Sequence, residues 1–163
     1  MNDRATHPPR PTDPGPGPPV PATPPERVGA TGFGALAPGT PLGPLALTVS
    51  AAANERYWTA AGVDHPALRA GALYPPIAAN LTILTFQQTC AEPVIQTRQR
   101  LRCHRLAPAG APLVCSGTVT AAYERRGRAY VDVEVVVAAE DAPREPIWTS
   151  AVSFTPTAGL GAR

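Results

Sequence analysis

Asp64 and His65 set a carboxylate beside an imidazole, the two side chains that general acid–base chemistry draws on most. Pro66 follows and restricts His65 to an extended conformation, so the pair belongs to a loop rather than to the apolar face of a helix. Two readings are open. The pair contacts a ligand and moves protons, or His65 caps a helix or stays in water while Asp64 bonds local backbone, as Asp commonly does in loops of this kind. A second group is the run Arg98, Arg100, Arg102 and His104, which at period two falls on one strand face, opposite Leu101 and Cys103. Such a ladder suits phosphates or an acidic protein surface. Its alternative is a solvated sheet face whose arginines pair across strands with Asp132 and Glu134.

Asn80, Thr82, Thr85 and Gln87 bring polar groups into an otherwise apolar stretch. Burial would make them costly without partners, so they line a pocket or bond to the sheet or a second subunit, and Asn80 is the one placed to face a ligand. Tyr57 and Trp58 read as core or pocket wall. The three cysteines, Cys90, Cys103 and Cys115, are odd in number and lack CxxC or CxxH spacing, so neither a disulfide framework nor a metal site is implied. Cys103 and Cys115 take inward parity and read as small buried residues. All 14 basic residues are Arg, which excludes Schiff-base lysine chemistry, and nothing implies a cofactor.

The elements that must position these groups follow from composition and period. Ten of the 22 prolines precede Glu26, and residues 1–38 carry almost no large apolar side chain, so they are expected to form a disordered Pro/Gly-rich arm. A domain over 39–157 and a flexible tail over 158–163 complete the chain. Leu45, Leu47 and Val49 alternate as a short strand; Ser50 and Asn54 are plausible caps for a helix carrying Tyr57, Trp58 and Ala61 and closed by Gly62. Tyr74-Pro75-Pro76-Ile77 opens one long apolar helix reaching Thr89, with Ile77, Leu81 and Leu84 as a stripe that Ala78, Ile83 and Phe86 widen nearly around the cylinder. After Pro93 the period becomes two. Val131, Val133, Val135 and Val137 share one face; Leu113, Cys115, Val119 and Tyr123 point inward on the strand before, and Trp148, Val152 and Phe154 lie together on the last. The fold class is α+β, a curved antiparallel sheet around one buried central helix. A net charge of +2 with 16% charged residues gives no footprint for nucleic acid or an acidic membrane. No run approaches the roughly 18 apolar residues of a membrane span, and a reducing cytoplasm fits the cysteines.

This order resembles the MaoC-like dehydratase and hydratase families of hotdog proteins over roughly residues 38–156. The features that carry the likeness are Pro38-Gly39-Thr40 before the first strand, His65-Pro66 followed by Tyr74-Pro75-Pro76 before the helix, and Ala109-Gly110-Ala111-Pro112-Leu113 opening a strand that ends in Tyr123-Glu124-Arg125-Arg126-Gly127. The resemblance implies an acyl-thioester ligand on coenzyme A or acyl carrier protein, hydratase or dehydratase (lyase) chemistry in fatty-acid or polyketide metabolism, and a homodimer or a heterodimer with another hotdog subunit. It also implies that backbone N–H groups at the start of the central helix polarise the thioester carbonyl. Active members of those families carry a D-x-N-P-x-H loop before that helix.

With Pro66 at the motif proline, Val63 takes the Asp position and Leu68 the His position, so neither holds an ionisable group. A one-residue slip would make Asp64 the acid and His65 the imidazole. The implied ligand contacts are Tyr57, Trp58, Tyr74, Ile77, Asn80, Arg98 and Arg100. Three roles stay open: a lyase with a shifted dyad or the substrate-holding subunit of one, an isomerase or cyclase of secondary metabolism, and a non-enzymatic binding module.

Overall fold

The computed structural model describes residues 31–158. Residues 1–30 of the expected arm and 159–163 of the expected tail lie outside the described residues. Five strands, β1 (Pro41–Thr48), β2 (Val94–Cys103), β3 (Pro112–Arg125), β4 (Arg128–Ala139) and β5 (Ala142–Pro156), form one sheet in the order β1-β3-β4-β5-β2, with every pairing antiparallel. Three helices connect the first two strands: α1 (Ala51–Ala61), α2 (Pro66–Arg69) and α3 (Ile77–Thr89).

α3 is the central helix and touches all five strands. Pro75 and Pro76 lead into it where a missing N–H does least harm. The β-strands present their apolar side to it: Val131, Val133, Val135 and Val137 from β4, Val152 and Phe154 from β5, and Leu113, Cys115 and Val119 from β3 are all buried. At the far end of α3, Phe86 is fully buried between Phe154 (ring centroids 4.3 Å apart) and Phe33 (6.5 Å). Burying such a ring is worth about 1.5–3 kcal/mol. At the near end, Ile77, Ala78 and Leu81 pack with Leu73, Ile147 and Trp148. The hydroxyls of Thr82 and Thr85 donate to Ala78 O (2.9 Å) and Leu81 O (2.7 Å) one turn back, so these buried polar residues are satisfied within the helix itself.

Irregular positions curl the sheet. Register shifts interrupt all four strand pairings, and each adds local twist. Gly117 in β3 lies so close to β4 that a Cβ there would meet the Glu134 carbonyl oxygen and the Val135 side chain. β3 and β4 are joined by Arg126 and Gly127, both at positive φ (52° and 71°), the backbone of a type I′ hairpin turn.

Several expectations are corrected. The packed chain begins before residue 39: Phe33 and Leu36 are 3% and 4% exposed and belong to the core cluster at the C-terminal end of α3. Tyr123 faces outward and is 42% exposed, because one extra residue of β3, Thr120, stands between Val119 and Ala121 where β4 advances by a single step, which flips the parity beyond. α3 is not buried all round, since Leu84 is 45% exposed and Asn80 is exposed beside it. Ser50 is the α1 cap, accepting from the Ala53 N–H, whereas Asn54 is buried inside the fold. Cys115 is buried as expected, but Cys103 is exposed, being the last residue of an edge strand. Arg98 and Arg100 make no ion pair with Asp132 or Glu134, because β5 lies between β2 and β4.

Candidate functional site at the entrance to the central helix

The loop before α3 is held by α1. Asn54 and Trp58, four residues apart on one helical face, both donate to the Ala72 carbonyl, from Nδ2 at 2.9 Å and from Nε1 at 3.1 Å. Asn54 Oδ1 accepts the Tyr74 N–H at 2.8 Å. These three bonds fix the approach of Tyr74-Pro75-Pro76 to α3 and leave no buried amide of Asn54 unanswered.

Around Trp58 the structure gathers an aromatic nook. The His65 ring lies parallel to the indole (centroids 6.2 Å apart, 10°), and Tyr74 meets it edge-on at 4.9 Å. Tyr57, 40% exposed, stacks on Tyr74 at 6.2 Å, and its hydroxyl receives the Asn80 amide at 3.5 Å, the long end of a hydrogen bond. Of the residues expected to contact a ligand, Tyr57, Trp58, Tyr74 and Asn80 are therefore brought together, with His65 beside them. Ile77 points into the core instead. Arg98 and Arg100 lie on the outer face of the sheet, where they line a different hollow.

The charged pair is engaged in local work. Asp64 accepts two hydrogen bonds from Arg69 Nη2, at 3.0 and 3.1 Å, in an exposed ion pair. His65 is the N-cap of α2, its Nδ1 accepting the Ala67 N–H at 3.1 Å. A capping neutral imidazole of this kind carries its proton on Nε2. Val63 is 45% exposed, and Leu68 packs against the Trp58 cluster. At the start of α3 the N–H groups of Ile77, Ala78 and Ala79 already donate to Tyr74, Pro75 and Pro76 carbonyls at 3.0–3.1 Å. Pro75 and Pro76 have no N–H to offer. The first turn therefore has little free donor capacity for a thioester oxygen.

What remains is a half-open aromatic surface with three polar tips: the Tyr57 hydroxyl, the Asn80 amide and the His65 Nε2–H. It can hold and orient a polar group, but a carboxylate is not set against an imidazole there. Among the described residues no group of three His, Cys, Asp or Glu side chains could hold a metal ion, and no helix is long and apolar enough to cross a membrane. The positioning role of Asn54 was missed in the sequence. Its i, i+4 relation to Trp58 was the available signal.

Solved structures resemble this architecture. A MaoC-like dehydratase from Rhodospirillum rubrum is 17% identical with a TM-score of 0.62, covering 78% of this chain and 97% of its own. The HadBC (3R-hydroxyacyl-ACP dehydratase) complex from Mycobacterium tuberculosis is 18% identical with a TM-score of 0.61, covering 72% and 96%. The (R)-hydratase from A. caviae involved in PHA biosynthesis is 15% identical with a TM-score of 0.59, covering 74% and 96%. No family model and no curated protein sequence matches the chain. At these identities the likeness is one of fold. The long helix held in a curled sheet of order β1-β3-β4-β5-β2 is thus the hotdog fold, in the form built by MaoC-like dehydratases and (R)-hydratases.

Proposed function

We propose that this chain binds an acyl thioester and serves as the substrate-holding subunit beside a catalytic hotdog partner, in fatty-acid or polyketide metabolism. The observation that carries the reading is the loop before α3. Val63 and Leu68 stand where the resembling families place their acid and imidazole, while Asp64 is held by Arg69 and His65 caps α2. The fold is that of acyl-thioester enzymes, yet acid–base machinery is not assembled at its usual place. The partnership is suggested by the HadBC complex, a dehydratase of similar fold that is itself a complex. Tyr57, Tyr74 and Asn80 would contact the acyl carrier arm, on coenzyme A or an acyl carrier protein.

A second reading has one observation in its favour. Asp64 and His65 are both exposed, and His65 lies stacked beside Trp58, which leaves the pair open to a substrate in a lyase whose dyad is shifted by one residue, with Asp64 the acid and His65 the imidazole. Turnover of enoyl-CoA and 3-hydroxyacyl-CoA by the purified chain separates the two. The subunit reading expects binding of 3-hydroxybutyryl-pantetheine without turnover, and binding weakened by Tyr57→Ala and Asn80→Ala. Turnover that falls at least tenfold in both His65→Ala and Asp64→Asn would establish the lyase instead. Absence of any thioester binding would remove both.

A further inference from the structure

The outer face of the sheet, turned away from α3, carries a hollow of about 440 Å³ between β2 and the β3–β4 hairpin. That volume lies in the range of roughly 300–1,000 Å³ usual for small-molecule sites. Arg98 from β2 and Arg125 and Arg126 from the hairpin line it, with Tyr123 and Tyr130 stacked as an aromatic wall (centroids 5.5 Å, 12°). The one acid in the lining is Asp132. Its Oδ1 accepts the Ser153 hydroxyl at 2.6 Å and the Tyr123 hydroxyl at 3.3 Å, which holds the carboxylate in place.

We propose that this outer-face hollow binds a nucleoside diphosphate. The charges are the first reason. Among the described residues, none of the three guanidinium groups has a carboxylate within ion-pairing distance, leaving an excess of two positive charges for a polyanion. Tyr123 and Tyr130 offer a ring edge and face on which a base can stack. Asp132 decides the class. A fixed carboxylate in the lining finds no donor on an acidic side chain or a bare phosphate, but it accepts hydrogen bonds from a ribose diol, the task an acidic residue performs in dinucleotide sites. The backbone supplies a fourth reason, because Arg126 sits at φ 52°, a conformation that favours Gly or Asn, and so holds a guanidinium at the rim at a backbone cost.

A free nucleotide and the adenosine-diphosphate head of coenzyme A share this chemistry. The site does not rest on the thioester reading, whose probe, an acyl-pantetheine, contains no nucleotide.

Calorimetric titration of the full chain with ADP is the test. Saturable binding is expected, weakening with salt and at least tenfold weaker in Arg98→Gln and in Arg126→Gly. The glycine variant relieves the left-handed backbone, so its loss of binding cannot come from unfolding. Pyrophosphate should bind at least tenfold more weakly than ADP, and Asp132→Asn should erase the preference for ADP over 2′,3′-dideoxy-ADP. If CoA competes with ADP and responds equally to Arg126→Gly, the head of coenzyme A is the source; if CoA does not compete, a free nucleotide is. No saturable ADP binding, unchanged affinity in both arginine variants, equal binding of pyrophosphate, or displacement of ADP by a hexaglutamate peptide overturns the proposal.

Discussion

Replacing Asn54 with Ala should be among the most damaging changes available to a single polar side chain in this fold. The substitution removes the acceptor of the Tyr74 N–H and one of two donors to the Ala72 carbonyl. Ala72 O keeps the indole of Trp58, so that loss is an ordinary hydrogen bond, about 1 kcal/mol. The Tyr74 N–H keeps nothing, and an unanswered amide in a partly buried place costs about 1–3 kcal/mol. The expected total is roughly 2–4 kcal/mol. Trp58→Phe keeps the aromatic packing and loses only the indole donor, while Asn54 still serves Ala72 O, so it should cost about 1 kcal/mol. Urea denaturation followed by far-UV circular dichroism measures both, with exposed Asn80→Ala as the reference. If Asn54→Ala costs no more than Trp58→Phe, or lies within the error of Asn80→Ala, the account of how the loop before α3 is positioned is wrong.

Burial beside α3 pushes the Cys115 thiol from its ordinary 9.0 up to about 11, an effect that the neighbouring Thr85 side chain partly offsets. Between about pH 9 and pH 11 the unfolded chain therefore binds fewer protons than the folded one, and stability should fall with rising pH, by roughly 2–3 kcal/mol across the window. Cys115→Ala should flatten that slope in pH-dependent urea melts, and an unchanged slope would contradict it. Gly117→Ala should cost at least about 2 kcal/mol, because the added carbon meets backbone of β4 that cannot move aside. Gly110→Ala, at φ 86° but with open space around it, should cost only about 1–2 kcal/mol in the same melts.

Local pattern carried much of the architecture. The alternation of Val131 to Val137 identified a strand with one buried side, and Pro75-Pro76 marked where α3 would start, because both signals arise from a few consecutive residues. Features that depend on distant chain were not legible. The outward turn of Tyr123 comes from one extra residue in β3 whose mismatch exists only against β4. Arg98 and Arg100 share one face, as a period of two requires, but their lack of acidic partners follows from β5 standing between β2 and β4, a fact of strand order. Phe33 and Leu36 were lost in the average composition of a proline-rich stretch, although two well-spaced apolar side chains suffice to anchor it. At the site, the aromatic residues were recognisable by type and a capping His65 was one of two open readings; the choice between them, and the pairing of Asp64 with Arg69 rather than with backbone, took short-range geometry that no residue type announces.

The anchoring of Thr31 has a consequence for reach. The Thr31 N–H donates to Thr89 O and the Thr31 carbonyl accepts from the Ala91 N–H, which ties this residue to the Cys90 pole of the domain. α3, 13 residues long, spans about 20 Å between that pole and the aromatic nook. A change at Thr31 would thus reach the Phe33 end of the core and leave the packing around Trp58, a helix length away, undisturbed.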